Sequence, residues 1–174
     1  MSSPVLLRLF FALPCPKDQA QAIAAWRATL PAQGKPSHRD NLHLTLAFIG
    51  MQPASILPQL EQLGASVQLD AFALQLNALE CWANGILHLA PAERPPALLT
   101  LQQRLQVGLS ELGIELEQQT YRPHLTLARQ CKELPSVIAP TFAWQVDSFA
   151  LYLSESTPEG VRYRALASWP LLTL

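Results

Sequence analysis

His43-Leu44-Thr45-Leu46 returns further along the chain, unchanged, as His124-Leu125-Thr126-Leu127. An identical string recurring in a chain with only four histidines is a duplication signal. Successive side chains of a strand point to opposite faces, so His and Thr at i and i+2 share one face and the leucines share the other. Each copy then delivers one imidazole and one hydroxyl to a surface while its leucines enter an apolar layer. Two copies facing one cleft deliver a symmetric set that can act as acid, base and anion binder.

Around this pair, the 174 residues are 49% hydrophobic and 14% charged, which describes a folded chain with a large core and room for one domain or two small lobes. The formal net charge of -1 leaves no broad electrostatic footprint for long nucleic acid, so any nucleic-acid ligand is expected to be read locally, at a terminus or a single phosphate. Cys15, Cys81 and Cys131 are odd in number and widely spaced, which fits reduced thiols and a cytoplasmic location, with no C-x-x-C zinc pair. Val5 to Leu13 has the apolarity of a secretory core, but Arg8 interrupts it and it is too short to span a bilayer, so it reads as a buried strand and no membrane partner is expected.

Taken in order, residues 5 to 12 form that strand, stopped by Pro14 and Pro16. A helix follows from Pro16 with Ile23, Trp26 and Leu30 at helical spacing, then a polar loop from Gln33 to Asn41. The first motif strand ends at Gly50, and a helix from about Pro53 to Gly64 follows. Residues 70 to 82 alternate as one strand, Ala83-Asn84-Gly85 signals a hairpin, and Ile86 to Ala90 return. The second half repeats the plan. A helix opens at Pro95-Pro96, carries Leu98, Leu101, Leu105 and Leu109 on one face and closes at Gly113; polar residues Gln118 to Arg122 lead into the second motif. Strands are expected at 141 to 153 and at 162 to 169, after the turn Thr157-Pro158-Glu159-Gly160. No linker or charge run divides the chain. The expectation is an α+β fold, one domain over residues 1–174 built from two pseudo-symmetric lobes, each presenting its motif strand to a central cleft.

Imidazole titrates near neutral pH, so His43 and His124 can serve as general acid and general base on opposite sides of a phosphorus undergoing in-line displacement. Thr45 and Thr126 would donate hydrogen bonds to the non-bridging oxygens. Either histidine alone reads as an ordinary packed residue; a core has no need of the same His-x-Thr twice, whereas an anion pocket does. His38 and His88 lack a partnered threonine and read as bystanders. Metal binding by the two histidines would need further carboxylate or thiolate ligands, and neither motif contains one, so no metal and no cofactor is expected. A Ser/His/Asp triad lacks a serine in a nucleophile-elbow context.

These residues resemble the 2H phosphoesterase superfamily, and the flanks resemble its branch of bacterial RNA 2',3'-cyclic phosphodiesterases, also called 2'-5' RNA ligases. The matching pieces are Arg8 to Ala12, Asn41 to Phe48, Arg122 to Arg129 and Gly160 to Pro170. The resemblance implies a duplicated bilobal α+β fold with two antiparallel sheets flanking the cleft and helices packed outside. It implies hydrolysis of RNA 2',3'-cyclic phosphate ends to 2'-phosphomonoesters, with reversible 2'-5' ligation in some members. It also assigns His43 as the acid for the leaving 3' oxygen and His124 as the base for water; the residues themselves leave the two interchangeable.

Arg122 shares strand parity with His124 and is a candidate phosphate contact. Arg129 matches a phosphate-contacting position of the resembled family, although ideal alternation places it opposite His124 unless a strand end or bulge turns it back. Phe11 and Phe48 are candidates for stacking a nucleobase, with core packing the competing reading, favoured by parity for Phe48. The expected partners are RNA ends or small nucleotide 2',3'-cyclic phosphates, handled by a monomer. A non-catalytic binder of RNA ends is the rival reading, against which two intact titrating motifs argue.

Overall fold

A computed structural model of the chain describes residues 3–31, 34–116 and 120–173. Among the described residues, ten strands and three α-helices follow one another as β1 (Leu6–Pro14), α1 (Lys17–Arg27), β2 (Lys35–Pro36), β3 (His43–Pro53), α2 (Leu57–Ser66), β4 (Phe72–Leu76), β5 (Ala78–Cys81), β6 (Leu87–Ala90), α3 (Pro96–Glu111), β7 (Leu125–Arg129), β8 (Phe142–Val146), β9 (Ser148–Thr157) and β10 (Gly160–Pro170). The α+β class and the two antiparallel sheets hold. One sheet is large, ordered β10-β9-β1-β3-β7-β6-β5 with β2 also on β7, and the other is the pair β4-β8. The partition differs from one sheet per motif: both motif strands lie in the large sheet, side by side.

They meet at a single residue pair, Leu44 opposite Leu125. Beyond it β3 leaves β7, and β2 takes over that edge with Lys35 opposite Arg129 and Pro36 opposite Ala128. The arrangement is mirrored about this contact, because β3 has β1 as its outer neighbour and β7 has β6. A cross-strand bond reinforces it: the Tyr121 hydroxyl, just ahead of the second motif, donates to the Thr45 carbonyl of the first at 2.7 Å. Burial drives that phenol further above its ordinary pKa, so it remains a donor.

Two expected long strands are each broken in two. Residues 72–76 pair with β8 in the small sheet while 78–81 pair with β6 in the large one, and the side chain of Asn77 at the crossing accepts the Ala92 N–H at 2.9 Å. The stretch 141 to 153 divides likewise between β8 and β9, on either side of Asp147. The hairpin at residues 83–85 is present, with Gly85 at φ +90 and Trp82 N–H bonded to the Ile86 carbonyl. The polar approach to the second motif is described from Thr120 onward; Gln118 and Gln119 lie outside the described residues, as does Gln33 of the earlier loop.

The core sits on one face of the large sheet. Leu44, Leu46, Leu125 and Leu127 are buried there, joined by Leu98, Leu101, Leu105 and Leu109 of α3 and Ile23 of α1. Each such side chain contributes about 1.5 to 3 kcal/mol when taken from water. Among the described residues no helix is long and apolar enough to cross a membrane. Tyr121→Phe removes the bond between the two motifs and should destabilise the fold by about 1 kcal/mol, lowering Tm by about 2 to 4 °C for a chain of this size. Thermal unfolding followed by circular dichroism checks it.

Candidate active site

Both leucines of each motif face the core, and the histidine and threonine face the opposite side, half-buried. A β-bulge then interrupts alternation at the same place in both copies. Along β3, Ala12 pairs with Thr45 and Phe11 with Ala47, so Leu46 is the extra residue. Along β7, His88 pairs with Thr126 and Leu87 with Ala128, so Leu127 is the extra residue. In each strand two successive residues, Leu46-Ala47 and Leu127-Ala128, are therefore buried, and the fifth residue after the histidine returns to the histidine face. That residue is Phe48 in one copy and Arg129 in the other. The carbonyl of the bulged Leu127 accepts bonds from the Arg27 guanidinium of α1 at 3.0 Å and from the Ser37 N–H at 2.9 Å, which hold the bulge open.

The bulges decide the fate of the candidate ligand contacts. Arg129 is exposed, and its charge acts on both motif imidazoles. Lys35, opposite it on β2, shares its face; like charges placed so repel each other unless an anion lies between them. Phe48 is 50% exposed, with the Arg8 guanidinium 5.0 Å above its ring, so the parity that assigned it to the core is overturned by the bulge. Phe11 is a correction: at 0% exposed it lies in the core, packed near Phe149 and Trp169, and cannot meet a base. Its neighbour Phe10 occupies the site face instead. Arg122 is exposed, and the part of it that serves the site visibly is its carbonyl.

Each imidazole is oriented by its own strand. Nδ1 of His43 lies 2.7 Å from the Asn41 carbonyl and Nδ1 of His124 lies 2.8 Å from the Arg122 carbonyl. A carbonyl only accepts, so both rings carry their proton on Nδ1 and leave Nε2 as the acceptor nitrogen. In the first copy Nε2 accepts the Thr45 hydroxyl at 2.8 Å. The residue that orients His43 is itself fixed, since the Asn41 amide donates to the Val161 carbonyl at 2.8 Å and accepts the Tyr163 N–H at 3.2 Å, both on β10. Phe10 and Tyr163 stand 4.9 and 5.0 Å from the His43 ring. Around His124 stand Trp82 at 4.5 Å and His88 at 5.4 Å.

Burial pushes the His43 pKa down to about 4, against the smaller pull of the Asn41 carbonyl, and the neighbouring His124 and Arg129 push it further the same way. His124 is also lowered, first by burial and then by His88 and Arg129. Both rings are thus neutral in the ligand-free protein at neutral pH, competent to accept a proton. Either can become a donor once an anion sits against it and reverses the balance. Among the described residues no group of three or more His, Cys, Asp or Glu is gathered to hold a metal ion. His38 lies apart, exposed and accepting the Asp40 N–H within its own turn.

Several residues of this face escaped the sequence reading. Asn41 was visible only as motif flank, and Phe10 lost to Phe11 because nothing in an unbroken apolar run shows which parity faces the cleft. Lys35, Trp82, His88, Tyr152 and Tyr163 carry no local motif.

A family model described as the 2'-5' RNA ligase superfamily matches residues 14–157. An RNA 2',3'-cyclic phosphodiesterase of Escherichia coli (strain K12) is 34% identical over 176 residues, covering 98% of this chain and 99% of its own. The structure of E. coli LigT complexed with 3'-AMP superimposes with a TM-score of 0.89 at 30% identity, covering 97% of this chain and 100% of that one. LigT complexed with phosphate gives 0.87 at 30% identity, with 98% and 100% covered.

The buried, Nδ1-protonated state of His43 has a direct consequence. In 15N imidazole NMR its ring should stay neutral down to about pH 5 and titrate near 4; a midpoint near the ordinary 6.5 would contradict the account. The unfolded chain takes up that proton near 6.5, so this ring's contribution to stability is complete above that pH and is lost as the pH falls toward 4.

Proposed function

The chain belongs to the 2'-5' RNA ligase superfamily, and on that premise we propose that it opens RNA 2',3'-cyclic phosphate ends to 2'-phosphomonoesters by acid-base catalysis with His43 and His124. The observation that carries this reading is the paired delivery of two Nδ1-anchored imidazoles, with Arg129 returned to their face by the second bulge. The resemblance of the motifs supplies the direction. His124 Nε2 takes a proton from water, the hydroxide forms the new bond to phosphorus, the bond from phosphorus to the 3' oxygen breaks, and His43 gives its Nε2 proton to that oxygen. His43 gains this proton when the phosphate anion binds beside it, which offsets the burial that keeps the free ring neutral.

Thr45 and Thr126 donate to the non-bridging oxygens, and the Thr45 hydroxyl leaves Nε2 of His43 to do so. Arg129, with Arg122 and Lys35 at the rim, neutralises the phosphate charge. Phe48 stacks a nucleobase, where its exposure and its Arg8 neighbour favour a flat π-face; such stacking is worth about 1 to 3 kcal/mol per base. The same displacement with a 5'-hydroxyl in place of water forms the bond to the 5' oxygen, breaks the bond to the 3' oxygen and gives a 2'-5' linkage; attack of the 3' oxygen on that linkage runs the step backward, which makes the ligation reversible. The two imidazoles supply both proton transfers, so the scheme calls for no metal or cofactor. The protein acts as a monomer in the cytoplasm on RNA ends or small cyclic nucleotides.

Incubation with a short RNA ending in a 2',3'-cyclic phosphate, in excess chelator, should yield the 2'-phosphate by chromatography against both phosphate standards. His43→Ala and His124→Ala should each lower kcat by about 10² to 10⁴. An unchanged rate in His124→Ala removes the mechanism, and RNA that binds without turnover moves the reading to an end-binding module. Phe48→Ala should raise KM with little change in kcat.

A further inference from the structure

A second histidine stands behind His124, outside both motifs. His88 on β6 is 1% exposed, yet it points to the site face, because it pairs across the sheet with Thr126 on one side and with Glu80 of β5 on the other. Its Nδ1 lies 3.1 Å from the Ile86 carbonyl and its Nε2 lies 3.2 Å from a Glu80 carboxylate oxygen. Both partners are acceptors, so both bonds form when the ring carries two protons. Trp82 packs 4.2 Å from His88 and 4.5 Å from His124, and the two imidazoles are 5.4 Å apart, so three rings close a triangle. The far corner of the triangle is the proposed base.

We propose that His88, clamped by Glu80 and the Ile86 carbonyl, is a positioning residue that fixes the His124 ring and keeps it ready to accept the proton of water. The inference rests on the acid-base reading above. His88 is too enclosed to touch substrate and acts through His124. A ring whose two nitrogens both face acceptors, with its centroid 5.4 Å away, opposes a proton on His124, in the same sense as the lowering of that ring by His88. The charged and titratable groups facing His124 are His88 from β6, with Glu80 behind it on β5, His43 from β3, and Arg122 and Arg129 flanking it in its own segment. The Glu80 carboxylate, accepting at Nε2 of His88, is the side-chain half of the clamp. Its side chain is 54% exposed, so replacing it leaves the packing intact.

The test is 15N imidazole NMR of the full chain with Glu80→Gln and His88→Leu, each also assayed on the cyclic-phosphate RNA. In Glu80→Gln the His124 titration midpoint should rise by about half a pH unit or more, as expected when the clamp on the ring that lowers it is released. The kcat should fall several-fold at neutral pH with KM unchanged. His88→Leu should show the same midpoint shift. A His124 midpoint in folded Glu80→Gln that coincides with the parent's overturns the proposal, even if the rate falls. Turnover retained in His124→Ala would instead overturn the parent reading, so the two failures are distinguishable.

Discussion

Each motif histidine is pinned by its own backbone. Donation from Nδ1 to the carbonyl two residues earlier sets the ring plane, selects the tautomer and leaves Nε2 as the acceptor nitrogen. The bond is local, so it arises wherever a strand begins at a histidine in this geometry, and duplicating the strand duplicates it. His88 makes the same bond to Ile86 on a third strand. What converts these local arrangements into one site is the single contact of Leu44 with Leu125. There the two motif strands touch, and beyond it they separate, with β2 filling the edge that β3 vacates.

The paired bulges are the second constraint. A strand that kept strict alternation would send both Phe48 and Arg129 into the leucine layer, where a guanidinium has no partner and burial costs several kcal/mol. One extra residue per strand returns the aromatic ring in one copy and the cation in the other to the histidine face. The duplication therefore conserves backbone geometry while differentiating function. The first motif's imidazole is surrounded by Phe10, Tyr152 and Tyr163, and the second motif's by Trp82, His88 and Arg129. An aromatic wall beside His43, with the Arg129 charge acting on both imidazoles, suits a ligand with a base at one end and a phosphate at the other.

Much of this was legible before any coordinates. The repeated His-x-Thr-x string has a period of 2, so its two faces could be assigned residue by residue, and the leucines and the functional pair fell where alternation places them. The helix of Leu98, Leu101, Leu105 and Leu109 was equally plain. Alternation fails where the strand itself is irregular. Nothing in Leu46-Ala47 or Leu127-Ala128 announces an extra residue, so parity favoured core packing for Phe48 although it stood as a stacking candidate, and Arg129 was left divided. Phe11 was preferred to Phe10 because both sit in a run buried on its two faces. The breaks at Asn77 and Asp147 depend on which distant strand is available as partner, which no local pattern records. His88 lacks a motif because its role is set across the sheet, by Glu80 and Thr126 on neighbouring strands.

The central claim is that both Nε2 atoms address one phosphate. A crystal structure of the protein with a nucleoside 2'-phosphate tests it most directly. The account predicts phosphate oxygens within hydrogen-bond reach of Nε2 of His43 and Nε2 of His124 together, at about 2.6 to 3.2 Å, with Thr45 and Thr126 on the remaining oxygens. A phosphate bound by one histidine alone, or outside the line between the two, would contradict it.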